Sequence, residues 1–386
     1  MSTAEEKRKE RTEIRNAYLT GQKPKRVLVN AGFSWDAAIS LAGFDRSKAN
    51  YDMSLTEQAM EKICATIPSD TMMGSNIRFA YIFQLLGSRT FITASNGVLQ
   101  HPEIVNMEVE DYDDFIRDIN TTLIEKILPR SCTALNTNDP ASFGLNLSVA
   151  YGAYRNIMAA QSAAAARVSA KHGFVQGFST YQSWRAPFDV IGDLLRGFTG
   201  LSMDIRRRPE KVKAATEALV PLILKIVTPK TPRPGLCSFV ALHLGSYFSE
   251  KVFAELYWPT FQKCVVELDK AGVAAHLFVE HDWTRYAEKY LSTLPKSTIM
   301  YMEYGDPKLF TETVGKDHII GGFYDPTISL TRTKEECIDE AKRLLDITMK
   351  SGKYYFCFDK SVMDIKSIDI SKVVAVLEWV TENAKY

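Results

Sequence analysis

The sequence predicts an α/β fold, a (β/α)8 barrel of the TIM type with an N-terminal helical extension and an inserted β-hairpin. Five strand-like runs in its second half each end on polar residues: Ser238–His243, Ala275–Glu280, Thr298–Glu303, Ile319–Asp325 and Tyr354–Asp359. Segments of helical period lie between them. That alternation gathers the polar ends at one rim of a parallel sheet or barrel, where α/β enzymes keep their chemistry. With earlier candidates at 26–30, 70–74 and 172–178, the expected strands number eight and alternate with helices.

Residues 1–25 read as a charged helical extension docked through Ile14, Tyr18 and Leu19, and 26–386 as one catalytic domain. Arg26–Asn30 suits a first strand, and the loop after it carries Phe33 and Trp35. From Thr90 to Val109 the pattern turns to short β-like pieces around Ser95-Asn96-Gly97, which predicts a hairpin inserted over an active site. Helices are expected over 111–129 and over 147–170, the second rich in alanine. Ser183–Asp189 reads as a loop. Pro209 suits a first helical turn, with Val212, Leu219, Leu222 and Ile226 on the apolar face behind it. Ser249 caps a helix that Pro259 is expected to kink. Thr333 and Glu336 make a capping box, and a last helix follows Ser371.

The 386 residues are 46% hydrophobic with a formal charge of +1, which allows a large core and gives no electrostatic case for nucleic acid. Arg206-Arg207-Arg208 is the dense basic cluster and reads as solvated surface. The cysteines at 64, 132, 237, 264, 337 and 357 show no C-x-x-C spacing and the chain opens on no apolar signal, so a reducing cytoplasm is expected. No apolar run is long enough to predict a membrane span. Sequences of the G-x-G-x-x-G, P-loop and nucleophile-elbow types are absent, and Gly321-Gly322 reads as a place of close backbone approach.

Several short stretches occur together in order: Ser183-Trp184-Arg185-Ala186-Pro187-Phe188-Asp189, Leu195-Arg196-Gly197-Phe198, Met203-Asp204 and Pro209-Glu210-Lys211-Val212. Leu242-His243-Leu244-Gly245, Tyr257-Trp258-Pro259, Glu280 with Trp283, Leu294-Pro295-Lys296 and Gly321-Gly322 follow them. This order resembles the uroporphyrinogen decarboxylase superfamily over residues 170–386. The resemblance implies a TIM barrel that either decarboxylates uroporphyrinogen or moves methyl groups to or from the cobalt of a corrinoid protein. The decarboxylases' arginine-rich motif, R-x-P-x-W-x-M-R-Q-A-G-R, has no counterpart at Arg26–Asp36, and a substrate with many carboxylates needs those guanidinium groups. Phe278-Val279-Glu280 stands where the methyltransferases that use coenzyme M carry H-x-C. What the resemblance implies is therefore transfer from an aryl methyl ether or a methylated amine. The corrinoid would sit on a separate partner protein, because no D-x-H-x-x-G sequence is present, and a homodimer is compatible with this reading. Decarboxylation is the second reading and a non-catalytic binding module the third.

Methyl transfer of that kind needs a poor leaving group to depart, helped by a Lewis-acid metal or a proton donor. His243 and Glu280 end neighbouring strands and are the best pair for a metal site or an acid–base dyad, although an ordinary buried hydrogen-bonded pair also explains them. The expected metal set is zinc on His243, Glu280 and Cys357 or Asp359. Asp359 joins His243 and Glu280 as a catalytic candidate. His281 points away from Glu280 if the strand continues. His276 reads as a core histidine, Cys357 otherwise as a small core residue, and Asp325 as a cap before Pro326. Trp35, Tyr181, Trp184, Tyr247 and Trp283 stand near loop ends and are expected to contact substrate through cation–π contacts or flat apolar walls, and Glu303, at a strand end, is expected to join them through its carboxylate as a ligand or general acid.

Overall fold

The computed structural model describes residues 3–74, 79–231, 233 and 235–386. Its strands are β1 (Val29–Asn30), β2 (Ile92–Thr93), β3 (Leu99–Gln100), β4 (Ser183–Arg185), β5 (Leu236–Leu242), β6 (Val273–Asp282), β7 (Ile299–Tyr304), β8 (Ile319–Gly322) and β9 (Phe356–Cys357). Strands β4 to β8 form one parallel sheet in chain order. Parallel neighbours cannot be joined by a hairpin, so helical segments carry the chain back between them. Val240, Leu242, Leu277, Val279, Met300 and Met302 are buried, as strands covered on both faces require.

Parallel contacts continue beyond both edges of that sheet. Ile320 bridges Tyr354, and β9 pairs with β1, Val29 beside Phe356 and Asn30 beside Cys357. The Asp70 N–H donates to the Val29 carbonyl at 2.8 Å, and Thr71 bridges Val175. The N–H groups of Thr180 and Tyr181 donate to the Cys237 carbonyl at 2.9 and 3.0 Å, at the start of β5. The strands expected over 26–30, 70–74 and 172–178 are thus a two-residue strand and single bridges. Side chains replace the ladder there: Asp70 accepts from Val29 N–H, and Ser69 from Ala31 and Thr71 N–H. Ser183–Arg185, expected as loop, is a strand.

Gly321 and Gly322 serve close approach. An added Cβ would lie 2.7 Å from the Tyr355 ring at Gly321, and 2.2 Å from the Met302 carbonyl oxygen at Gly322, where φ is +93°.

Helix α1 (Ala4–Leu19) opens on a capping box between Thr3 and Glu6 and buries Ile14 and Tyr18. Leu19 does not join them and is exposed. The alanine-rich helix runs over Pro140–His172, from the Asp139 cap to Gly173 at φ +70°. Residues 111–129 are broken instead of continuous, because Asp118 starts a new helix by accepting from Thr121 N–H. Pro259 lies inside a continuous helical run from Glu250 to Lys270, directly after a π-helical turn over Phe253–Tyr257, which is where a missing backbone N–H and the proline ring disturb the ladder. The hairpin of β2 and β3 is antiparallel and turns at Gly97, φ +78°. The capping box at Thr333 and Glu336 starts Lys334–Thr348, and Asp369 caps the last helix, Ile370–Asn383. No helix among the described residues is long and apolar enough to cross a membrane.

Candidate active site

Strands β5 and β6 end side by side, and three titratable side chains meet there. One ligand atom from each of His243, Glu280 and His281 lies within 4.8 Å of the others. An unbroken strand would send Glu280 and His281 to opposite faces. The pairing of β6 with β7 instead shifts register between Val279 and Asp282, and His281 adopts φ +65°. This bulge corrects the expectation that His281 points away. A left-handed histidine costs energy, and such residues concentrate at functional sites.

Each member of the cluster is braced from behind. Asp193 Oδ1 lies 2.9 Å from His243 Nδ1, while Asp189 accepts from the backbone N–H groups of His243 and Leu244 at 3.1 and 3.0 Å and from the Tyr257 hydroxyl. The Tyr247 hydroxyl is 2.7 Å from His281 Nε2, and the His281 N–H donates to Glu303, which also pairs with Lys360 at 2.8 Å. Trp283 donates its indole N–H to the Glu280 carbonyl.

These contacts set the charges. The hydrogen bond to Asp193 outweighs burial and raises the His243 imidazolium to about 9. Burial pushes the Glu280 carboxyl up, against the pull of His243. Complete burial lifts Asp189 to about 7 despite its hydrogen bonds, and burial beside Asp325 lifts Asp359 to about 7 as well. Burial also works upward on Glu303, but Lys360 and the His281 N–H together hold it below the usual range.

A cavity of 300 Å³ opens beside His243, with Asp193, Phe198, Tyr247, His101 and Glu103 among its lining residues. His101 and Glu103 follow the inserted hairpin, so the segment after it reaches this cavity. Phe198 and Tyr247 meet edge to face at 5.7 Å.

No family model matches the chain, and no curated protein matches it by sequence. Among solved structures, a methyltransferase from Methanosarcina mazei is similar over 99% of this chain and 99% of its own, with a TM-score of 0.58 and 10% identity. The likeness is one of fold.

The remaining sequence candidates separate. Cys357 is not in the cluster. It lies buried with Tyr355 and Cys237 in a core of its own, where burial pushes the thiol up to about 12, the reverse of what a thiolate ligand needs. Trp35, Trp184 and Trp283 are buried in the core and line no part of the cavity beside His243. Trp35 bonds Asn50, Trp184 stacks on Phe261 and bonds Ser238, and Trp283 packs among Phe253, Tyr257 and Tyr286. Tyr181 packs partly buried on the main core and lines no part of the cavity beside His243. Tyr247 is at the site. Glu303 braces His281. Asp325 caps the turn after it by accepting from Thr327 N–H, and His276 is a buried histidine bonded to Ser179 and Tyr355.

Sequence reasoning passed over Asp189, Asp193 and His101. The signal for the first two was present: two aspartates four residues apart, just after Pro187, ahead of a strand that ends on histidine.

Proposed function

We propose that this chain is a corrinoid-dependent methyltransferase of the uroporphyrinogen decarboxylase superfamily, folded as a (β/α)8 barrel over residues 26–386. It moves a methyl group from a small methylated donor, an aryl methyl ether or a methylated amine, to the cobalt of a separate corrinoid protein. The barrel is supported by the parallel contacts that run from β5 through β8, β9 and β1 to Thr71 and Val175 and return to Cys237. The superfamily is supported by the order of shared residues, and methyl transfer by the fold likeness to a methyltransferase. The observation that carries the reading is the cluster of two imidazoles and a carboxylate within 4.8 Å at adjacent strand ends beside a cavity.

His243, Glu280 and His281 fit a zinc ion with one position left for substrate, and Asp193 behind His243 is the outer carboxylate such a site uses. When bound, the metal supplies a Lewis acid for the leaving heteroatom. The chain's own work is positioning and proton supply. Asp193 accepts the Nδ1 proton of His243 and so leaves Nε2 as the ring's ligand atom; near neutral pH the free ring carries a proton there as well, which a bound metal would displace. Tyr247 and Glu303 fix the His281 ring and backbone. Asp359, lifted by burial to about 7, is partly protonated near neutral pH, but it belongs neither to the three-residue cluster nor to the lining of the cavity beside His243, so it is the outlying candidate for a proton donor. Phe198 and Tyr247 give a methylated donor flat walls, and Glu103 adds a carboxylate to the same cavity.

The test is to mix the protein with a reduced, Co(I) corrinoid protein and a panel of aryl methyl ethers and methylated amines. A spectral change to methyl-Co(III) with one of them is expected. Silence with every donor, together with carbon dioxide and coproporphyrinogen formed from uroporphyrinogen, overturns the reading in favour of decarboxylation.

A further inference from the structure

A second cavity, of 1210 Å³, lies at the other end of the sheet, where β5, β6 and β8 begin. The last turn of α1 and the loop after it, Arg15 to Lys23, form one of its walls. It shares no lining residue with the cavity beside His243.

Its charge is one-sided. Five cationic side chains line it against two carboxylates, and both carboxylates are already engaged: Asp317 with Lys296 at 2.8 Å, and Asp269 with the Ser297 hydroxyl. Arg15 is the informative member. Its Nε is buried without any hydrogen-bond partner, and among the described residues no carboxylate pairs with its guanidinium. A buried guanidinium N–H without an acceptor is costly, so the Arg15 Nε, on a part-exposed side chain at the cavity wall, needs water or a ligand from the cavity to satisfy it. Lys23 stands on the same wall, 5.7 Å over the Tyr386 ring, and Lys353 donates to the Lys316 carbonyl and acts on Asp317 only at a distance, without a direct ion pair.

We infer that this cavity binds a small organic anion bearing phosphate or carboxylate groups, anchored by Arg15. The planar fork of an arginine suits either group. Phe178, Leu236 and Ile319 offer an apolar wall for the ligand's body, and the volume, somewhat above the roughly 300–1,000 Å³ of small-molecule sites, has room for more than a bare ion. The site does not depend on methyl transfer at the opposite rim.

The experiment uses the full chain, with pyrophosphate and citrate as separate probes for the two anion types, read by isothermal titration and by thermal unfolding. At least one probe is expected to bind and to raise the melting temperature. Arg15→Met is expected to weaken that binding by about 10-fold or more, the scale of a charged hydrogen bond, whereas Glu280→Ala leaves it unchanged. Lys23→Gln serves as a second variant at the exposed rim should Arg15→Met not fold, with a smaller loss expected. Absence of binding by both probes at millimolar concentration, or equal binding by wild type and both cavity variants, overturns the inference.

Discussion

His243 Nδ1 and Asp193 Oδ1 stand 2.9 Å apart, and the same chain segment sends Asp189 to the His243 backbone N–H. One short stretch therefore fixes both the ring and the main chain of the histidine that ends β5. Asp193 is itself only 7% exposed and has Arg185 as its other partner, so its carboxylate has few other orientations. Asp193→Ala removes the ring's brace while leaving Asp189 in place. The expected result is a fall in methyl transfer of about 10–100-fold, with zinc affinity reduced on a similar scale. Unchanged activity and metal affinity in a folded variant would remove Asp193 from the site.

Glu280 and His281 are adjacent in sequence and form the bulge itself, which brings their ligand atoms within 4.8 Å of each other. If they bind one ion together, the wild type is expected to hold one equivalent of zinc, and Glu280→Ala and His281→Ala are each expected to lose it. Cys357→Ala keeps it. Activity of Glu280→Ala is expected to fall by about 100-fold or more, as for a group that acts on the reacting centre. Retention of both metal and activity in the Glu280 variant would mean that the cluster is an ordinary buried pair.

The sequence made the carboxyl ends of the strands legible because alternation and strand-end polarity are local properties. His243 and Glu280 follow from them, whereas Tyr247 is legible only as an aromatic residue near a loop end. The first-half strands were hard to read for the opposite reason: Asp70 and Ser69 take up backbone donors that a ladder would otherwise hold. His281 was misplaced because a bulge breaks the period of two on which strand-face arguments rest. Cys357 was misplaced because alternation gives the face of a residue and not its depth along the strand. The tryptophans mark a third limit. Loop-end position suggests exposure, but Trp35 and Trp283 turn inward to satisfy their indole N–H groups on Asn50 and on the Glu280 carbonyl.

Trp283 gives that point a measurable form. It is fully buried, meets Phe253 and Tyr286 edge to face, and would lie 2.7 Å from a Cβ added at Gly245. Trp283→Ala is expected to lower stability by about 3–5 kcal/mol, the range for a buried aromatic truncated to alanine. The melting temperature should drop accordingly. A substrate contact would behave differently, with KM rising and stability kept, and that pattern would return Trp283 to the pocket.

His276 makes the fold sensitive to acid. It lies below the rim on β6, with Ser179 Oγ 2.8 Å from Nδ1 and the Tyr355 hydroxyl 3.0 Å from Nε2. Burial lowers its imidazolium from the usual 6.5 to about 3. The folded state thus holds this ring neutral where the unfolded chain binds a proton. The stabilisation is fully present above the unfolded value near 6.5 and is lost as pH falls towards 3. His276→Gln keeps two polar ends but cannot take up that proton. Across pH 6 to 4, wild type is expected to lose stability more steeply than the variant, by up to about 1.4 kcal/mol per pH unit for one proton. Denaturant unfolding of the two proteins at several pH values measures the difference in slope. Parallel curves would show that His276 is protonated in the folded state.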